Sequence, residues 1–101
     1  MGKNNEKLEI LFFYSTSKYE SVATKLMLNN FLISNSIVKG YELKEIDFDK
    51  NNDLCKKYNV TGVPTTLILF EDKLRARHLG EFTNKELNIL MTEALKRNKT
   101  Q

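Results

Sequence analysis

The stretch Asn59-Val60-Thr61-Gly62-Val63-Pro64-Thr65 constrains this chain most, because it holds the only proline among 101 residues and runs straight into the apolar segment Leu67-Ile68-Leu69-Phe70. Proline has no N–H to give a sheet ladder, so it belongs at the first residue of a strand. Gly62 permits a turn that a side chain would resist, and the β-branched Val63 is biased toward extended backbone by the proline after it. On local chemistry alone this is a turn entering a strand, with the ordinary trans bond before proline.

The segments around that turn alternate in period. Glu6 to Tyr14 carries the unbroken apolar run Ile10-Leu11-Phe12-Phe13-Tyr14, the pattern of a central strand buried on both faces. Ser17-Lys18-Tyr19-Glu20 has the spacing of a capping box, with Ser17 as N-cap of a long helix. Val22, Ala23, Leu26, Met27, Leu28, Phe31, Leu32 and Ile33 form its apolar face, and Ser34-Asn35-Ser36 ends it. Tyr41 to Asp49 reads as a second strand, with Ile46 and Phe48 alternating with acids. Asn51-Asn52-Asp53 then offers N-caps for a short helix, Leu54 to Tyr58.

Thr65 to Phe70 and Leu74 to Leu79 read as an antiparallel hairpin around Glu71-Asp72-Lys73. A second capping box, Thr83-Asn84-Lys85-Glu86, opens a helix whose Leu87, Leu90, Met91, Ala94 and Leu95 keep helical spacing; Lys96 and Arg97 suit its C-terminal dipole. The order β-α-β-α-β-β-α, with a crossover helix between the first two strands, requires a parallel pair and an antiparallel hairpin in one four-stranded mixed sheet. The expected organisation is a flexible segment over 1–7, one α/β domain over 8–97 and a frayed end over 98–101.

Composition narrows the function classes. Lys and Arg outnumber Asp and Glu by 16 to 13, a net charge of only +3, which does not announce a polyanion. The polar opening Met1 to Lys7 lacks the apolar run of a signal peptide, and no apolar stretch approaches spanning length, so the expectation is a soluble, cytoplasmic protein with no membrane partner. A single cysteine, Cys55, forbids an internal disulfide and a thiolate-rich zinc site. The lone His78 has no partners at ligand spacing, so no metal is expected. Lys73, Arg75 and Arg77 make a basic strand at the sheet edge, where charge discourages edge-to-edge aggregation; no nucleic acid is expected.

Lys56-Lys57-Tyr58-Asn59-Val60-Thr61-Gly62-Val63-Pro64-Thr65 resembles the K-Y-x-V-x-x-V/I-P-T segment of the thioredoxin superfamily. Gly80 falls where that family has a glycine after its last strand. The resemblance runs from about Leu8 to Lys96 and implies a minimal thioredoxin-like domain, with helices on both faces of the sheet and a cis bond between Val63 and Pro64. Its Cys-x-x-Cys pair belongs where the first strand turns into the first helix, since a helix N-terminus stabilises a thiolate. Here Lys18 and Ser21 stand at those positions with Tyr19 and Glu20 between them; shifted by one, Ser17 and Glu20 do. The family's acid falls at Phe12.

Neither register restores a thiol, and a hydroxyl or an amine cannot carry thiol–disulfide exchange. A Lys18–Ser21 hydrolase dyad would need a desolvated lysine and an oxyanion hole, which a wet helix start does not offer. What remains is the groove, where family members pair backbone with an extended segment of a substrate protein. The expectation is a redox-inactive module, with no cofactor, that binds a protein or extended peptide through Ser17, Lys18, Tyr19, Ser21, Val63, Pro64 and Phe82, with Tyr14 nearby. Two alternatives stand beside it. One is an oxidoreductase using Cys55. The other is a regulatory protein similar to the KaiB clock proteins, whose thioredoxin-like first half Phe13 to Leu28 resembles.

Overall fold

The computed structural model describes residues 8–34 and 40–96. The expectations for 1–7, for Asn35 and Ser36, for Arg97 and for 98–101 lie outside the described residues. Strand β1 (Leu8–Tyr14) is the centre of a four-stranded sheet ordered β2-β1-β3-β4. It runs parallel to β2 (Tyr41–Asp47), with Phe13 opposite Ile46, and antiparallel to β3 (Thr65–Phe70), with Leu11 opposite Leu67. Its apolar run is continuous because both of its faces are covered. Leu8, Ile10 and Phe12 enter a core with Leu28, Phe31 and Leu32 of helix α1 (Tyr19–Ser34) and Leu87, Met91 and Ala94 of helix α3 (Asn84–Lys96). Leu11 and Phe13 enter a second core on the other face with Ile46, Val60, Leu67 and Cys55 of the short helix α2 (Asn52–Tyr58). Helices therefore cover both faces, in the expected order.

Three local readings are corrected. Ser17 is not the N-cap of α1: the helix begins at Tyr19, and the Lys18 carbonyl accepts from the amides of Ser21 and Val22. Ser17 is drawn instead to Ser15, whose hydroxyl lies 2.9 Å from its own. The buried face of α1 is Ser21, Thr24, Leu28, Phe31 and Leu32, while Val22, Leu26 and Ile33 are exposed. The amide of Ser15 donates to Ser21 Oγ at 3.2 Å inside the protein, and that bond sets the helix's rotation about its axis. Strand β2 ends at Asp47 rather than Asp49, because Asp47 caps a single 3₁₀ turn, Phe48–Lys50, accepting from the Asp49 amide at 2.9 Å.

The C-terminal half follows the expected hairpin. β3 is buried along its whole length, and β4 (Lys73–Leu79) pairs with it antiparallel at the sheet edge. The register slips between Ile68, opposite Ala76, and Leu69, opposite Leu74, so Arg75 is an extra, bulged residue. Thr83 and Glu86 form the reciprocal capping box of α3, with bonds of 2.8 and 3.1 Å. Phe82 and Leu87, flanking that box, are both buried in the α1/α3 core as a hydrophobic staple.

The hairpin turn is a site for improvement. Glu71 and Asp72 have φ of 56° and 66°, the left-handed pair that a two-residue type I′ turn needs and that L side chains resist. Asp72→Gly is expected to raise stability by about 0.5–1 kcal/mol, less than the full left-handed penalty because glycine also frees the unfolded chain. Urea denaturation followed by circular dichroism would register this as a higher midpoint at unchanged slope.

Candidate functional site

Two loops meet beside the 3₁₀ turn. The first, Ser15 to Lys18, leaves β1 for α1; the second, Thr61 to Pro64, enters β3. Together with Phe48 and Asp49 they line a shallow cavity of about 300 Å³, bordered by Ser15, Ser17, Lys18, Thr61, Gly62 and Val63. The Val63–Pro64 peptide bond is cis. The loop is anchored on both sides of Val63: the Thr65 hydroxyl donates to the Gly62 carbonyl at 2.6 Å, and the Gly80 amide donates to the Pro64 carbonyl at 2.8 Å. Val63 itself is half-buried against the α2-side core.

The other wall is a chain of hydroxyls. Ser15 donates its one hydroxyl proton to Asp49 Oδ2 at 2.9 Å, so it accepts from the Ser17 hydroxyl at 2.9 Å and from the Ser17 amide at 3.3 Å. The Ser17 oxygen is thereby left with lone pairs for the cavity. Lys18 is exposed at the rim and supplies the cation. A wall with acceptors, one carboxylate and one ammonium suits hydrogen bonding to a polypeptide backbone and its side chains.

Of the residues singled out from sequence, Ser17, Lys18 and Val63 line the cavity. Tyr19 follows directly and is largely exposed, and Pro64 is buried just behind Val63. Ser21 and Phe82 do not belong to this surface. Ser21 is wholly buried, holding the Ser15 amide, and so makes no dyad with the exposed Lys18. Phe82 is buried against α3, its ring edge-on to His78 at 5.5 Å between centroids. Tyr14 points to the α1 side, stacked on Phe12, with Lys25 Nζ 5.0 Å above its ring.

Five lining residues carry no mark of a site in the sequence: Ser15, Phe48, Asp49, Thr61 and Gly62. Ser15, Phe48 and Asp49 come from polar or turn segments whose role depends on the fold bringing them together, and Thr61 looked like loop filler. Leu79 is a further neighbour: it is exposed, and its Cδ1 lies 3.7 Å from where a Cβ on Gly62 would sit. Its signal was available, since a large apolar residue at the last position of an edge strand has little core to fill.

Cys55 does not line this cavity but lies behind its Phe48. It is buried under α2, its thiol 3.8 Å from the Phe48 carbonyl, and burial pushes its pKa up, with the charge of Asp49 adding to the effect. The basic strand is also engaged. Arg77 donates to the carbonyls of Tyr58 and Asn59 at the end of α2, where Asn59 is left-handed, and Arg75 pairs with Glu71 at 3.8 Å. Among the described residues no group of three His, Cys, Asp or Glu could hold a metal ion, and no helix is long and apolar enough to cross a membrane.

The thioredoxin family model matches residues 16–93, most of the chain. The chain belongs to the thioredoxin family. Solved structures agree on the fold. Thioredoxin-2 of the malaria parasite, described as a component of its protein secretion machinery, is similar with a TM-score of 0.76 at 21% identity, covering 85% of this chain and 82% of that one. The germline-specific thioredoxin Deadhead of Drosophila melanogaster gives 0.74 at 24% identity, covering 87% and 81%. The Trxlp protein of Edwardsiella tarda gives 0.77 at 13% identity, covering 84% and 82%. Among proteins of curated function none matches. This thioredoxin-family chain has Lys18-Tyr19-Glu20-Ser21 at the junction of β1 and α1, near the loop that holds the cis Val63–Pro64 bond.

Proposed function

We propose that this protein is a redox-inactive member of its family that binds an extended polypeptide segment in the groove between the Ser15–Lys18 loop and the Thr61–Pro64 loop. One observation carries the reading: the cavity at that junction has one wall of hydroxyls and a carboxylate, and none of the residues lining it is a cysteine. The sulfur-free lining removes the nucleophile that disulfide exchange requires. Cys55 is a poor substitute, since a buried thiol whose pKa is raised yields little thiolate at neutral pH. The loop around Val63 is held at its two neighbouring carbonyls, which suits a fixed edge against which a partner's backbone can pair. Leu79 and Tyr19 add exposed apolar surface beside it. Engagement of Arg75 and Arg77 within the fold supports a structural role for those two residues of the basic strand.

Two measurements test the proposal. In a protein-disulfide reduction assay the wild type should show no turnover above a Cys55→Ser variant. Turnover that depends on Cys55 would end the redox-inactive reading. Selection of peptides from a displayed random library should return extended binders whose affinity is sensitive to substitutions in the groove; binders indifferent to those substitutions would end the binding-groove reading.

A further inference from the structure

Helix α1 is apolar on two sides, and the fold uses only one. Opposite the face that carries Leu28, Phe31 and Leu32 into the core, Tyr19 is 79% exposed, Val22 42%, Leu26 62% and Ile33 79%. These four stand at i, i+3, i+7 and i+14, the seam of a heptad repeat, with Asn29 in the remaining seam position. No charged residue interrupts it. On one flank Lys25 is tied to Glu45 at 3.4 Å and Asn29 donates to the same carboxylate at 3.2 Å; on the other stand the uncharged Ala23 and Asn30.

We propose that this seam pairs two copies of the chain, with their α1 helices antiparallel about a two-fold axis at Leu26. The spacing itself favours a second copy. Tyr19 and Ile33 lie equally far on either side of Leu26, so an isologous contact sets Leu26 on Leu26 of the second copy and Tyr19 on Ile33. The small pair Val22-Ala23 then faces Asn29-Asn30, and no like charges are brought into the seam. The exposed parts of the four seam side chains amount to roughly 400–500 Å² per copy, a large patch for a monomer. Two copies bury about 900 Å² in total, below the ~1,200 Å² of a stable interface, so the dimer is weak and reversible. The seam shares Tyr19 with the rim of the peptide groove, but its axis, Leu26, is about two helical turns along α1 from Lys18, so Leu26→Glu tests the pairing without touching the groove.

Sedimentation velocity on the full chain, from roughly 10 μM to 1 mM, is the test, with dissociation constants expected in the range of about 10–1,000 μM for so small an interface. The wild type should move from monomer toward dimer, and Leu26→Glu should stay monomeric over the whole range while keeping its circular dichroism spectrum, since the side chain is exposed. In a Cys55→Ser background, Leu26→Cys should form a covalent dimer on mild oxidation and Val22→Cys should not, because only the former sits on the axis. A wild type that remains monomeric at the highest concentration overturns the proposal and leaves the seam to a different chain. Association that survives Leu26→Glu, or a Leu26→Cys variant that does not cross-link, overturns it as well.

Discussion

Phe12→Ala is expected to remove about 3–5 kcal/mol of folding stability, the cost of emptying a fully buried aromatic site. The ring has no exposed surface, sits on the central strand between Glu45 of β2 and Thr66 of β3, and stacks against Tyr14 with centroids 6.4 Å apart. A domain of this size is usually stable by only about 5–15 kcal/mol, so the urea midpoint should fall by a large fraction of its value. A loss below about 1 kcal/mol would mean that the α1/α3 core is not packed as described. Phe12→Asp should be worse and leave the chain unfolded at neutral pH, since it adds a buried carboxylate to the lost ring. The contrast bears on function: the resemblance to thioredoxins puts their proton-transferring acid at this position, and here that place belongs to packing. The positions that the resemblance assigns to the thiols and to their acid are changed together, which supports the redox-inactive reading proposed above.

Elements with one clear period were legible in the sequence, and those with two were not. β1 and β3 are continuous apolar runs, and both proved to be buried on two faces. The capping box of α3 and its single apolar face left one way to place that helix. α1 is apolar on two sides, so its pattern alone does not say which side meets the sheet. The answer lies in Ser21 and Thr24, two polar residues that are buried, with Ser21 receiving the Ser15 amide. The same ambiguity hid the exposed seam. In the site, Lys18 and Val63 were legible because each adjoins a recognisable junction, whereas Asp49 was not, since its place opposite Ser15 depends on a contact 34 residues away in sequence. Phe82 is not legible as a core residue because an aromatic two residues after Gly80 looks like a loop residue until the staple with Leu87 draws it inward.

Val63→Asp combined with Tyr19→Ala is expected to weaken an extended peptide's binding at least ~100-fold, about 2.7 kcal/mol. Val63 lines the cavity whose opposite wall carries Asp49, so a second carboxylate there sets like charges across the groove and disrupts the edge offered to the peptide backbone. Tyr19 is a large exposed aromatic next to the rim, the residue type that most often anchors a partner. Because Val63 also packs on the α2-side core, its replacement costs some stability, and Tyr19→Ala alone serves as the variant that leaves the fold untouched. That single change should lose about tenfold in affinity. Asn88→Ala on exposed α3, which does not line this cavity, should lose nothing. Fluorescence anisotropy with peptides selected on the wild type gives all three affinities at once. If Tyr19→Ala and the double variant bind as the wild type does, the groove is not where the peptide sits, whatever the fold's ancestry. If both lose affinity while Asn88→Ala keeps it, the groove between the Ser15–Lys18 and Thr61–Pro64 loops is where the peptide binds.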